Sequence, residues 1–164
     1  MNTSVISEKA LIGKNVSIGH FCIIEDDVII GDNTHIGNYC VIKKGAVIGK
    51  NCRFTAYCEI RDHVKIGDFT TFGSRCTISA NACIGSRVTI KYGFVLTDTP
   101  VLEQGDVKVV GTIGDDSLIG ANVCLMPGFN IGMNATIGAC SQVRDHVGDG
   151  EIWFGNPARL FKTK

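Results

Sequence analysis

Residues 27–50 read DVIIGDNTHIGNYCVIKKGAVIGK, and within them Ile30, Ile36, Ile42 and Ile48 recur at every sixth position. Neither the 3.6 period of a helix nor the 2.0 period of a strand generates a step of six. Extended outward, the register runs back through Ile24, Ile18, Ile12 and Ile6. It runs forward through Phe54, Ile60, Ile66, Phe72, Ile78, Ile84, Ile90 and Leu96. With 45% of the chain hydrophobic, sixteen consecutive large apolar residues in one phase have a chance probability on the order of 10⁻⁶. The series resumes at Ile113, Ile119, Leu125, Ile131, Ile137 and Val143 after a break of phase.

Each hexad carries further structure. The residue four after the anchor is small or β-branched, as at Val16, Cys22, Val28, Thr34, Cys40, Ala46, Cys52 and Cys58. Two inward positions per six residues describe a short strand and a corner. Glycine follows the anchor at 13, 19, 31, 37, 49, 67, 73, 85, 114, 120, 132 and 138, where close packing beside a bend favours it. Asn15, Asn33, Asn51, Asn81, Asn122 and Asn134 lie three after the anchor, a position suited to left-handed backbone. Hexads that lack that glycine recur at Ser7, Glu25, Lys43, Arg61, Ser79 and Thr97, 18 residues apart, so three hexads make one turn of a triangular prism. Successive coils are expected about 4.8 Å apart, in a solenoid in which each coil contacts only its neighbours.

Composition excludes several classes. Sixteen basic against sixteen acidic side chains give no net charge, so nucleic acid and anionic membranes, both won by excess Lys and Arg, are poor partners. Met1 to Lys9 lacks the apolar run of a signal peptide and no later stretch approaches a membrane span, which leads us to expect a cytoplasmic protein. The eight cysteines form no C-x-x-C pair. Cys22, Cys40, Cys58 and Cys76 fall in one interior column and are expected to be free thiols. No metal site is expected from them, because structural zinc needs a tetrahedral set with fixed ligand spacing.

The Ile-Gly-x-x-x-x tandem, the break, the stretch IGANVCLMPGFNIGMNATIGACSQV and the closing GNPARLF resemble the hexapeptide-repeat acyltransferases, over nearly the whole chain. The resemblance implies an all-β fold, a left-handed parallel β-helix of about seven to eight triangular coils with one inserted loop and a short C-terminal capping segment. We expect the β-helix over 1–147, with the loop at about 97–111, and a cap or tail over 148–164. In that tail Trp153, Phe154 and Leu160 are expected to cover the open end of the prism. The resemblance also implies a homotrimer with sites between subunits, and acetyl-CoA as acyl donor.

Ile113 occupies the slot residue 102 would have held, so eleven residues are inserted. In members of the family such a loop helps to bind acceptor and thioester, and many carry a histidine there as base. This loop, TDTPVLEQGDVKVVG, has none. Asp98 becomes the first candidate for a base or for orienting the acceptor, with Thr97 and Thr99 beside it as substrate-binding residues. His63 and His146 fall on the same edge of the prism, two coils below and two above, each at roughly 10 Å, and His63 is taken as the second catalytic candidate. Carried over from the family's coenzyme-binding coils, Gly120, Ala121, Gly138, Ala139, Arg144, Asn156, Pro157, Arg159 and Lys162 are the candidate coenzyme contacts, Arg159 and Lys162 as charged donors to phosphates. The missing loop histidine favours an amine acceptor over a hydroxyl, because a neutral amine needs no base to become a nucleophile. An amino sugar carried on a nucleotide is therefore the expected acceptor. O-acetylation of a sugar hydroxyl and a non-catalytic scaffold are the alternatives. On one outer corner Phe21, Tyr39, Tyr57 and Arg75 recur at 18-residue intervals, and we expect them to stack.

Overall fold

The computed structural model describes residues 3–99 and 108–164. Two-residue strands follow one another at six-residue steps and sort into three parallel sheets. Face A has eight strands, from Val5–Ile6 to Gln142–Val143, and so counts eight coils. Face B has six, from Leu11–Ile12 to Thr112–Ile113, prolonged by bridges of Ile131 to Ile113 and Val147. Face C begins at Ser17–Ile18 and reaches nine strands because the C-terminal hairpin joins it. The three edges between these faces are called AB, BC and CA.

Register within each face is 18 residues, as in Ile24↔Ile42 and Ile42↔Ile60. Across the insertion Leu96 pairs with Leu125, a step of 29, which is 18 plus the eleven extra residues expected from the sequence. A second irregularity was not foreseen. Ile131 bridges Val147 and Ile137 pairs with Trp153, steps of 16, so the last turn is two residues short. Both departures occur on edge AB.

The interior is built from the two inward positions of each hexad. Anchors such as Ile36, Ile42 and Ile60 are fully buried, and so are the fillers Val28, Cys40, Ala46, Val64 and Cys76. Burying each large aliphatic anchor contributes roughly 1.5–3 kcal/mol. The interior also takes three rings. Phe54 and Phe72 stack with centroids 4.7 Å apart, and Phe94 fills the slot that Cys22, Cys40, Cys58 and Cys76 hold in the coils below it. The buried hydroxyls of Thr34 and Thr70 donate to Gly49 O and Gly85 O and accept from Cys52 N and Val88 N, so neither is left unpaired.

Corners need a left-handed residue, and the position three after the anchor supplies it. Sixteen non-glycine residues of the described chain have positive φ there, among them Asn33 at 58°, Tyr39 at 58° and Arg75 at 60°. At about 1–2 kcal/mol each their sum exceeds the net stability of a typical domain, so the corners hold only because neighbouring coils fix them. From Asn33 onward each such N–H is bonded to the coil before it, as Tyr39 N to His20 O at 2.9 Å and His63 N to Lys44 O at 3.0 Å. One residue earlier, carboxylate and amide side chains cross-link coils. Asp32 Oδ1 accepts from Lys14 N at 2.8 Å and Asp68 Oδ1 from Lys50 N at 2.7 Å. The post-anchor glycines have another cause. A Cβ on Gly31 would lie 2.6 Å from the backbone of Gly49 in the next coil.

The tail 148–164 forms an antiparallel hairpin, Glu151–Gly155 with Ala158–Thr163. Its first strand extends face C in parallel beside Thr136–Ile137. The cap expected from Trp153, Phe154 and Leu160 is only partly formed. Trp153 packs on the core, whereas Phe154 and Leu160 remain half exposed and Ala158 is the residue buried. Strand alternation turns Phe154 away from the face that Trp153 presents to the core, since successive side chains point to opposite faces.

Candidate active site

The candidate residues of the loop lie on edge AB, where face A ends at Leu96. Thr97 N and Oγ1 both donate to Leu125 O, at 3.1 and 3.0 Å, so its hydroxyl is engaged by its own coil stack. Asp98 accepts from Thr99 Oγ1 at 3.0 Å and faces Lys108 Nζ at 3.2 Å, while Val109 N donates to Asp98 O at 2.8 Å. These contacts close the neck of the insertion. The remainder of the expected loop, 100–107, lies outside the described residues. Partial burial opposes ionisation of Asp98, but the Thr99 hydroxyl and the Lys108 ammonium outweigh it and hold the carboxyl below the usual carboxylate range. A carboxylate so held accepts a hydrogen bond well and a proton poorly.

His63 shares edge AB, left-handed at φ 57°, and its ring lies over Gly45 of the preceding coil, away from the insertion. No hydrogen bond or ion pair joins it to Asp98, and two coils, roughly 10 Å, separate them. Arg144 and His146 occupy the same edge at the last coil, both exposed. The His146 ring sits edge-on to Phe129 with centroids 5.5 Å apart, and its Nδ1 accepts from Asn130 N at 3.2 Å.

The candidate coenzyme residues divide. Gly120, Ala121, Gly138 and Ala139 lie on edge CA of the last two coils, and the hairpin turn at Asn156 and Pro157, with Arg159 beside it, adjoins them. Arg144 stands at the far end of face A, on the order of 15 Å away, and Lys162 pairs with Ile152 toward edge BC. A Cβ on Gly120 would lie 2.5 Å from Ala139 N and one on Gly138 2.7 Å from Phe154 Cβ, so coil packing accounts for both glycines. Ala121 and Ala139 are more telling. They stand in the column that lower coils fill with His20, Asn38, Ala56, Ser74 and Tyr92, so two alanines in succession leave this stretch of edge bare and open to an extended ligand lying along the backbone. Within one chain, then, the loop residues and most coenzyme candidates face different edges.

Two features escaped the sequence reading. Lys108, the partner of Asp98, fell inside the loop without any signal of its role. A groove on edge CA, lined by Tyr57, Arg75, Tyr92 and Asn122 among others, depends on side chains from four coils. The expected outer-corner stack is present: Phe21 and Tyr39 rings are 5.2 Å apart, Tyr39 and Tyr57 4.8 Å, and the Arg75 guanidinium carbon is 5.9 Å from the Tyr57 centroid.

Fold and repeat together define a parallel β-helical protein of the six-residue repeat class. The profile described as "Bacterial transferase hexapeptide (six repeats)" matches residues 27–62 and 111–145, and "Hexapeptide repeat of succinyl-transferase" matches 6–38. The chain belongs to the hexapeptide-repeat transferase family. It is 42% identical over 66 residues to a protein of Lysinibacillus sphaericus named "Probable macrolide acetyltransferase", an alignment covering 40% of this chain and 37% of that one. Among solved structures it resembles the UDP-N-acetylglucosamine acyltransferase from Campylobacter jejuni, with TM-score 0.68 and 16% identity over 99% of this chain and 74% of the other. It also resembles the serine acetyltransferase of Neisseria gonorrhoeae, with TM-score 0.55 and 28% identity over 61% of this chain and 38% of the other. The fold class implied by the sequence resemblance, a left-handed parallel β-helix, is the one the three sheets build. Among the described residues no helix is long and apolar enough to cross a membrane.

Proposed function

We propose that the chain is an acetyltransferase that moves an acetyl group from acetyl-CoA to the amine of a nucleotide-linked amino sugar, at sites between subunits of a trimer. The observation that carries this reading is the insertion at Leu96, whose neck presents an ionised Asp98 held by Thr99 and Lys108 on the edge of a hexapeptide prism. The relative named an acetyltransferase, matched over 40% of this chain, supports the donor class. The bare edge at Ala121 and Ala139, ending at Asn156 and Pro157, is where the coenzyme's extended arm would lie, with Arg159 and Lys162 as cations for its phosphates. Arg144, on the other edge, would serve the same coenzyme only from a neighbouring subunit, which is one reason to place the sites between subunits.

Acetyl-CoA, when bound, supplies the thioester whose carbonyl carbon the acceptor nitrogen attacks, forming the C–N bond as the C–S bond breaks. The protein's part is positional. Asp98 accepts a hydrogen bond from the acceptor amine and orients its lone pair. Thr99 and Lys108 keep the carboxylate in place and ionised, and the nitrogen's proton leaves with the thiolate. Asp98, held ionised, is a weak base toward a sugar hydroxyl, which favours the amine. His63, turned toward Gly45, is assigned to binding the acceptor rather than to proton transfer.

The test is release of coenzyme thiol from acetyl-CoA across nucleotide-linked amino sugars, unlinked amino sugars, plain sugars and amino acids. Acceptor-dependent release with an amino sugar is the expected result. Absence of release with every acceptor, together with no coenzyme binding by calorimetry, would leave the scaffold reading in its place.

A further inference from the structure

Edge CA carries a ladder of flat side chains with one rung missing. Phe21, Tyr39, Tyr57 and Arg75 follow one another at successive coils, each ring stacked on the last and the guanidinium over Tyr57. The next residue of the column is Gly93, at φ 73°, and the one after it is Asn122. Where the fifth-coil side chain would stand there is a groove of about 650 Å³, closed from above by Asn122, whose Oδ1 would meet a Cβ on Gly93. Its walls are Tyr57 and Arg75 on one side and Asn122 on the other, with Tyr92, Thr55 and Ser74 along the flank.

The chemistry of this groove differs from that of a second groove on the prism. Near the N-terminus, Val5, Ile23, Glu25, Asp26 and Lys44 line about 470 Å³. There Glu25 and Asp26 are already paired with Lys43 and Lys9, at 2.6 and 2.9 Å. At the missing rung, by contrast, Arg75 forms no ion pair among the described residues, and neither does Lys91, the exposed neighbour of Tyr92. Tyr92 itself is 60% exposed. The groove thus offers a flat cation for stacking, two tyrosines and uncompensated positive charge. It also offers hydroxyl and amide groups able to donate and accept. Thr55 Oγ1 and Ser74 Oγ lie 2.9 Å apart and bond each other.

A heteroaromatic ring stacks on guanidinium and tyrosine faces, its edge atoms require both donors and acceptors, and attached phosphates require cations. A neutral sugar would use the tyrosines and leave the cations idle. We infer that this groove binds the nucleotide part of the acceptor, its base seated against Arg75 beside Gly93 and edged by the Asn122 amide, with Arg75 and Lys91 supplying charge for the phosphates. The inference rests on the nucleotide-linked acceptor proposed above. The adenosine diphosphate end of the coenzyme has the same chemistry, so the experiment separates the two sources.

Calorimetry with UDP, GDP, CDP and dTDP, and in a separate arm with coenzyme A, is run on wild type, Arg75→Ala and Gly93→Asn. Asparagine tolerates left-handed backbone, as at Asn81 and Asn122, so Gly93→Asn fills the rung by pushing the Asn122 amide outward into the groove. If that variant melts early, Arg75→Ala, on the surface, carries the test. The expected result is binding of at least one nucleoside diphosphate, weakened about tenfold by Arg75→Ala and abolished by Gly93→Asn, with coenzyme affinity unchanged. Failure of all four diphosphates to bind, or binding indifferent to both variants, overturns the assignment. Loss of coenzyme binding in the variants, with no diphosphate bound by wild type, gives the groove to the donor instead and overturns it equally. Acetyl transfer to unlinked amino sugars is measured in parallel. Transfer without nucleotide binding removes the groove assignment and keeps the acetyltransferase. Nucleotide binding lost in the variants, without transfer to any acceptor, does the reverse.

Discussion

Lys108 Nζ lies 3.2 Å from Asp98 Oδ2, across the two ends of the eleven-residue insertion. With Val109 N bonded to Asp98 O, this ion pair makes the excursion leave and re-enter the prism at one point. Asp98 therefore belongs to the rigid coil stack as much as to the loop, which is what a residue that orients a substrate requires.

Replacing Asp98 with Asn should lower kcat roughly tenfold to a hundredfold while leaving coenzyme affinity unchanged by calorimetry. Equal turnover in the variant would reduce the carboxylate to a structural clasp.

The pH dependence separates orientation from base catalysis. Because the Asp98 carboxyl is held below its ordinary range, its ion pair is present above about pH 4 and is lost only as pH falls through the depressed folded value. The acid limb of kcat/KM should therefore follow protonation of the acceptor amine and persist in Asp98→Asn. A limb that vanishes in the variant would make Asp98 the base.

Thiol accessibility reports the interior column. Cys22, Cys40, Cys52, Cys58 and Cys76 are buried, and Cys83 and Cys140 are exposed, all of them unpaired. Burial pushes the Cys52 thiol up to about 11. In native protein two thiols should react rapidly with a chromogenic disulfide, the half-buried Cys124 more slowly, and the five interior ones only on unfolding. Rapid titration of all eight would contradict the packing.

The stacked corner yields a stability test with an unusual sign. Tyr39 combines φ 58° with rings on both sides. Tyr39→Ala loses the stacking and keeps the left-handed backbone, whereas Tyr39→Gly loses the stacking and relieves the backbone. The glycine variant should be more stable than the alanine variant by about 1 kcal/mol in chemical denaturation. The reverse order would mean that the coil, and not the residue, absorbs the corner's strain.

Gly31→Ala puts a methyl against the Gly49 backbone and should destabilise by about 1–3 kcal/mol. A stability change near zero would show that adjacent coils can part slightly at that corner.

Where the chain's information is periodic, the residues announced the structure. Ile24, Ile42 and Ile60 lie in register as their spacing required, the step from Leu96 to Leu125 carries the eleven-residue surplus, and the aromatic column stacks. The missed features depend on single residues that follow no period. Val147 takes a place two residues early because the last corner is shorter, and the hexad rule has no term for that. Lys108 reaches Asp98 through a turn that no repeat encodes. The groove at Gly93 was hidden because a glycine in the left-handed column looks like a corner satisfied, until the flat neighbours on the rungs below reveal what is missing. Gly120 and Gly138 also stand where coil stacking by itself calls for glycine.

The two breaks in the count, eleven residues gained after Leu96 and two lost after Val143, both fall on edge AB. A coil is a quantum of eighteen residues. Adding or removing one whole coil would leave every face aligned with itself, whereas a change of six would rotate everything beyond it by a third of a turn. Only a corner can absorb other lengths, by looping out or cutting across while the strands on either side keep their partners. In this chain one corner line has taken all of that freedom. Edges BC and CA stay metrically strict along the prism. The protein thus has a variable seam and two fixed ones, and lengthening or grafting at the seam should be tolerated where the same change on the ladder side is not.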